Sequence, residues 1–169
     1  VTTDGSVTEL AREDYAPAEA RVVAELRDIG KPFLVLLNTA DPAGERAQSL
    51  AADLSVQYDA ACLPVNCQTL TEQDVLEILR TILYEFPVAE ACFRMPEWMD
   101  VLPPDNAVKQ QLYARLREQM PSLRCLRQAR RTAQALSEDP LLESADVERI
   151  GVDTGSVCYV LAFPRALYY

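Results

Sequence analysis

Up to Pro87, two hydrophobic spacings take turns along the chain. From Glu13 to Ile29 the apolar residues Tyr15, Val22, Val23, Leu26 and Ile29 recur at steps of three and four, which predicts a helix. Gly30 supplies a left-handed stop, and Lys31-Pro32 prevents continuation. Phe33 to Leu37 is an unbroken apolar run ending at Asn38, and Cys62 to Val65 is a shorter one ending at Asn66. Such runs suit parallel strands covered on both faces. Between them Asp41-Pro42 opens a helix over roughly Ala43 to Leu54, with Asp41 as a candidate cap. Thr71 and Asp74 resemble a capping box, with Asp in place of the usual Glu. The helix they open carries Val75, Ile78, Leu79, Ile82, Leu83 and Phe86 on one side and stops at Pro87. Val1 to Thr3 read as the end of an earlier strand, turning at Asp4-Gly5-Ser6. Strand, helix, strand, helix at this spacing predicts right-handed crossovers and a parallel sheet.

Beyond Pro87 the pattern changes. Val88 to Met95 reads as a weak strand, and Pro103-Pro104-Asp105 is a break. Ala107 to Leu136 is helical, with Val108, Leu112, Leu116, Met120, Leu123 and Leu126 on one stripe, and Pro121 divides it into two helices. Val147 to Val152 and Val157 to Phe163 flank Asp153-Thr154-Gly155-Ser156, a hairpin signal. The expected class is therefore α/β in residues 1–87, followed by a smaller α+β segment with long helices and a hairpin in residues 88–169.

With 169 residues, 49% of them apolar, the chain is long enough to bury a core. It has no apolar run of transmembrane length, and VTTDGS is not a signal peptide. The net charge of −10 argues against general nucleic-acid binding, which needs a cationic face. The charge is unevenly spread, however. Ala107 to Leu136 holds seven basic residues (Lys109, Arg115, Arg117, Arg124, Arg127, Arg130, Arg131) against one acidic residue, Glu118. That segment reads either as a solvated helix face whose arginines pair within the domain, or as an assembly contact in which Arg124, Arg127 and Arg131 meet an acidic surface of another copy.

Histidine is absent, which excludes Ser-His and Cys-His triads within the chain and removes the commonest zinc ligand. Cys62, Cys67, Cys92, Cys125 and Cys158 are odd in number and lack Cys-x-x-Cys spacing, so zinc and thioredoxin-like readings fail. The expectation is reduced, buried thiols. No catalytic residue and no metal ligand is assigned.

In an open parallel sheet, ligands bind beyond the carboxyl ends of the strands. Three expected strands end in polar residues: Thr3-Asp4, then Asn38-Thr39-Ala40-Asp41, then Asn66-Cys67. These residues serve either as ordinary turn and cap formers or as one ligand-binding rim. Asn-x-x-Asp directly after a buried strand resembles the base-recognition loop of translation-factor-type P-loop GTPases. In that family the Asp accepts from the purine edge and the Asn ties the loop together. Here Thr39 stands where those GTPases have Lys, and Val65-Asn66-Cys67 stands where they have Ser-Ala-Lys. No Gly-x-x-x-x-Gly-Lys-Ser/Thr is present, so the phosphate and metal half of such a site is missing from the 169 residues.

Longer stretches resemble one family specifically: VTTDGSVTELAREDY, AEARVVAELRDIGKPFLVLLN, DVLEILRTILYEFPV, Met95-Pro96-Glu97-Trp98, and ESADVERIGVDTGSV. They resemble the stage IV sporulation protein A family, spore-coat morphogenetic ATPases of endospore-forming bacteria. The resemblance implies the second half of a P-loop ATPase domain in residues 1–87 and the start of a middle domain in residues 88–169. It implies a parent that binds ATP with Mg, hydrolyses it, and polymerises on the mother-cell side of the forespore as the base layer of the coat. It further implies partnership with a small amphipathic membrane-bound sporulation peptide and with other coat proteins, membrane contact being indirect. Asn38, Thr39, Asp41, Asn66 and Cys67 would line the base side of the nucleotide site, and the phosphate-binding residues would precede Val1. The chain alone is then expected to be inactive. The alternative expectation is a self-association or partner-binding module without nucleotide binding of its own.

Overall fold

A computed structural model describes residues 12–167. The expected strand at Val1–Thr3 and the rim residue Asp4 lie outside the described residues. The chain divides into two compact units, Val1–Glu85 and Phe86–Tyr169.

In the first unit the helix α1 (Arg12–Ile29) leads to strand β1 (Val35–Asn38), helix α2 (Glu45–Gln57), strand β2 (Cys62–Val65) and helix α3 (Glu72–Tyr84). Gly30 ends α1 at φ 70°, a left-handed position that only glycine adopts at no cost. β1 and β2 pair in parallel, Val35 opposite Cys62 and Asn38 opposite Val65. A small core of Val23, Val35, Leu37, Ala51, Leu54, Tyr58 and Ala60 joins α1, α2 and the strands. A polar tie reinforces it. The Glu19 carboxylate, 8% exposed, accepts from Arg12 at 2.8 Å and from the Tyr58 hydroxyl at 2.8 Å. Arg27 donates to the Tyr58 carbonyl, so the end of α2 is held to α1 at two points. Burial, and secondarily the Glu19 charge, push the Cys62 thiol up to about 11.

One expectation for this unit, the Asp41 cap, needs correction, and two of the expected apolar stripes lie largely open. The α1 stripe is only half used: Val23 is buried, but Val22 is 48% and Ile29 61% exposed. Asp41 does not cap α2; Gly44 is the N-cap, without a side-chain bond, because the Asp41 carbonyl instead closes a turn onto the Gly44 amide at 3.2 Å. The capping box at Thr71 and Asp74 is present, yet the helix it opens buries none of its residues. The apolar stripe of α3 lies open, with Val75 44%, Leu76 53%, Leu79 53% and Leu83 44% exposed.

The second unit contains strand β3 (Glu90–Arg94), helices α4 (Glu97–Val101), α5 (Ala107–Gln119) and α6 (Ala129–Ser137), and strands β4 (Ser144–Gly151) and β5 (Ser156–Ala162). Pro121 interrupts the long helical pattern as expected; the chain passes through short 3-10 turns at Met120–Ser122 and Leu126–Gln128 between α5 and α6. β4 and β5 form the hairpin, turning at Gly155 with φ 67°. β5 is central, and β3 joins its other edge in parallel, giving the order β3-β5-β4. Every second residue of β5 (Val157, Tyr159, Leu161) is buried. Met99, Leu112, Leu116, Leu136, Leu142, Ala145, Leu161 and Phe163 form the core, with Trp98 set edge-on to Phe163. Phe93 stacks on Tyr159 with ring centres 5.3 Å apart. The Ser137 hydroxyl accepts from the Ala145 amide at 2.9 Å, which ties the end of α6 to β4.

The expectation that all cysteines are reduced is overturned. Cys92 and Cys158 face each other across β3 and β5, with Cα atoms 4.7 Å apart, and are joined in a disulfide. Pairing between strands so distant in sequence is invisible in the spacing of the cysteines. Of the others, Cys125 is buried, Cys62 half-buried and Cys67 exposed.

Candidate functional site

The parallel register brings the carboxyl ends of β1 and β2 side by side, since Asn38 pairs with Val65. The Thr39 amide donates to the Val65 carbonyl at 2.9 Å and extends the ladder by one bond. Beyond that point the two chains separate into polar loops, and two asparagines cross-link them. Asn38 Oδ1 accepts from the Cys67 amide at 3.0 Å, and Asn66 Nδ2 donates to the Ala40 carbonyl at 3.3 Å. Each loop is thus fastened by the side chain that ends or follows the other strand. Asn66 also shapes its own loop, its Oδ1 accepting from the Gln68 amide at 3.0 Å.

Thr39 is fully buried, and its hydroxyl accepts from the Asp41 amide at 3.3 Å. Asp41 itself is exposed at the rim, beside the exposed Cys67 loop. The structure therefore brings Asn38, Thr39, Asp41, Asn66 and Cys67 together on one edge. Asn38, Thr39 and Asn66 build the edge, and Asp41 offers a solvent-facing carboxylate from it.

Gly44 is the residue that sequence reasoning missed. A Cβ placed there would lie 2.7 Å from Asp41 Oδ2. Its φ of −64° is open to any residue, and the atom a Cβ would meet is the far end of an exposed, rotatable side chain, so glycine leaves room for the carboxylate to fold back and a larger residue would turn it outward. The only sequence signal was a small residue three positions after Asp41.

Arg124, Arg127 and Arg131 belong to the second unit and take no part in this rim. Arg124 and Arg131 are exposed and Arg127 is half-buried. Of the basic residues in that stretch, Arg115 pairs with Glu118 at 2.9 Å and Asp139 at 3.3 Å. Among the described residues, Arg117, Arg124, Arg130 and Arg131 carry no ion pair. Also among the described residues, no group of three or more acidic or cysteine side chains is placed to hold a metal, and no helix is long and apolar enough to cross a membrane.

The described residues thus form a parallel strand pair with a polar rim and helices in the first unit, and a three-stranded mixed sheet with helices in the second. Residues 1–87 match the family model described as Stage IV sporulation protein A, ATPase domain, and residues 88–169 match that of the middle domain. The chain belongs to the stage IV sporulation protein A family. It is 34% identical over 168 residues to the Stage IV sporulation protein A of Bacillus subtilis (strain 168), covering 99% of this chain and 34% of that protein. It is 31% identical over 169 residues to the protein of the same name in Clostridioides difficile (strain 630), covering 100% and 34%. For Bacillus anthracis the identity is 33% over 168 residues, covering 99% and 34%. The chain thus spans about a third of the length of these relatives. No solved structure matches it.

Proposed function

We propose that this chain supplies the base-side half of a nucleotide site in an ATP-hydrolysing sporulation protein. The reading takes residues 1–87 as the second half of a P-loop GTPase-like sheet. The observation that carries it is the reciprocal cross-link of Asn38 and Asn66 beneath the exposed Asp41. A loop fastened on both sides holds one carboxylate at low entropic cost, and a carboxylate accepts from the amino or ring N–H groups of a purine edge. The buried Thr39 removes the cation that guanine readers place beside the base. The donors and acceptors present fit a purine, and they do not fit Mg or a triphosphate. Hydrolysis would depend on phosphate and metal ligands supplied by the remainder of the protein. In that setting the parent would polymerise on the mother-cell face of the forespore as the base layer of the coat. A small amphipathic membrane-bound peptide and other coat proteins would be its partners.

The test is binding of ribose-labelled ATP to the full-length protein, followed by fluorescence anisotropy, with ATP and GTP as competitors. Asp41→Ala is expected to weaken binding at least about tenfold, the loss of a charge-assisted hydrogen bond. Unchanged affinity in both Asp41→Ala and Asn38→Ala, with native circular dichroism, would overturn the assignment.

A second reading, self-association through the basic face, is favoured by one observation: among the described residues, Arg124, Arg130 and Arg131 are exposed and carry no ion pair. Cations of this kind complement an otherwise acidic chain. Replacing all three by Glu is expected to abolish assembly of the full-length protein, as read by sedimentation over a salt series. Unaltered sedimentation at every salt concentration would sink this reading.

A further inference from the structure

The disulfide lies on the side of the three-stranded sheet away from the core. Along β5, Val157, Tyr159 and Leu161 face inward, whereas Ser156, Cys158 and Val160 occupy the other face and are half-buried. Cys92 is the register partner of Cys158 on β3, and Arg149 is its register partner on β4. The ion pair between Arg94 and Glu148 joins β3 to β4 over the same face. The sulfur pair therefore sits half-exposed, with a cationic residue next to it in the register. Disulfide exchange proceeds by attack of a thiolate, so a half-exposed pair on the sheet surface is within reach of a soluble dithiol.

The pair also lies outside the packed core. Neither Cys92 nor Cys158 is among the buried core residues of this unit, and β3 is joined to the sheet as well by its ladder with β5, the Phe93–Tyr159 stack and the Arg94–Glu148 contact. What the bond adds is a link over 66 residues between the first and last strands of the unit. β3 directly follows the connector Phe86–Ala89. That connector is held by the Val88 amide on the Arg124 carbonyl at 3.0 Å and the Ala89 amide on the Gly155 carbonyl at 2.8 Å.

We propose that Cys92 and Cys158 form a reversible redox site, a clamp on β3 that soluble dithiols open and disulfides close. In opening, a dithiol thiolate attacks one sulfur of the pair. The Cys92–Cys158 bond breaks, a mixed disulfide forms, and the released cysteine leaves as a thiolate that takes up a proton. The second thiol of the reagent then closes on the first, freeing the other cysteine and leaving the reagent oxidised. Closing is the reverse, with a disulfide reagent as oxidant. The site is independent of whether the rim of the first unit takes a nucleotide.

The test uses the full-length protein, oxidised with glutathione disulfide and blocked with N-ethylmaleimide. It is then treated with dithiothreitol without denaturant and labelled with iodoacetamide. Mass spectrometry is expected to find the peptides of Cys92 and Cys158 linked before dithiothreitol and both labelled within minutes after it. Fresh glutathione disulfide is expected to restore the link. N-ethylmaleimide on both cysteines at the outset would overturn the proposal, as would a link that opens only in denaturant. Second, amide hydrogen exchange over a temperature series should show the Phe86–Tyr169 unit opening on the order of 10 °C higher in the oxidised protein. The double variant Cys92→Ser, Cys158→Ser should match the reduced protein and ignore dithiothreitol. Opening at the same temperature in both redox states would overturn the clamp.

Discussion

The two units use similar elements to opposite effect. In the second, the three-stranded sheet has helices on one face, and Leu112, Leu116, Leu123 and Leu126 are buried along with every second residue of β5. In the first, two parallel strands carry a small core, while α3 buries nothing and shows solvent an apolar stripe. A parallel sheet is stable when both faces are covered, and two strands offer too little surface for three helices. The comparison teaches that amphipathicity sets which side of a helix is apolar, not whether anything lies against it.

The sharpest way to break this contrast is to delete the same side chain in each setting. In the full-length protein, Leu112→Ala removes a residue that is 1% exposed and is expected to destabilise the second unit by about 2–5 kcal/mol. Leu79→Ala, at 53% exposure, is expected to cost less than about 0.5 kcal/mol. Hydrogen exchange of amides within each unit reads both. An equal cost at Leu79 would show that α3 is covered in the intact protein.

A smaller effect separates the helix caps. Asn106 caps α5 by accepting from the amides of Val108 at 2.9 Å and Lys109 at 3.3 Å. Asn106→Ala is expected to cost about 1 kcal/mol in the second unit, measured by urea unfolding. A loss within error would mean that packing of Leu112 and Leu116, not the cap, sets where α5 begins.

The smallest effect is the pH dependence of α3. The Asp74 carboxyl is held below its ordinary value, first by the Thr71 amide and then by the Thr71 hydroxyl. A carboxyl lowered in the native state adds stability above its unfolded value of about 4, and loses it as pH falls through the native value. The Thr71 and Asp74 amide resonances should therefore shift on acidification below about pH 4, with fraying of the first turn of α3. Asp74→Asn should remove that transition; its persistence would assign the titration elsewhere.

Much of the architecture was legible one residue at a time. The strand ends at Asn38 and Val65, the box at Thr71 and Asp74, the stop at Gly30 and the turn at Gly155 each depend on local chemistry. The rim was legible only as a list of polar residues after strands. The cross-links that make it one structure depend on register between residues up to 29 apart, as with Asn38 and Cys67. Gly44 escaped notice because its role is room for the Asp41 side chain, which no spacing rule encodes.

Order along the chain, strand against helix, and the polar ends of β1 and β2 were settled by the sequence alone, because periodicity and capping act within a few residues. Tertiary structure alone decided that β3 would run parallel to β5, that Cys92 would meet Cys158, and that α3 would keep its apolar side bare. Those outcomes turn on which distant surfaces find each other. Burial and strand pairing are properties of that meeting, not of any segment considered by itself.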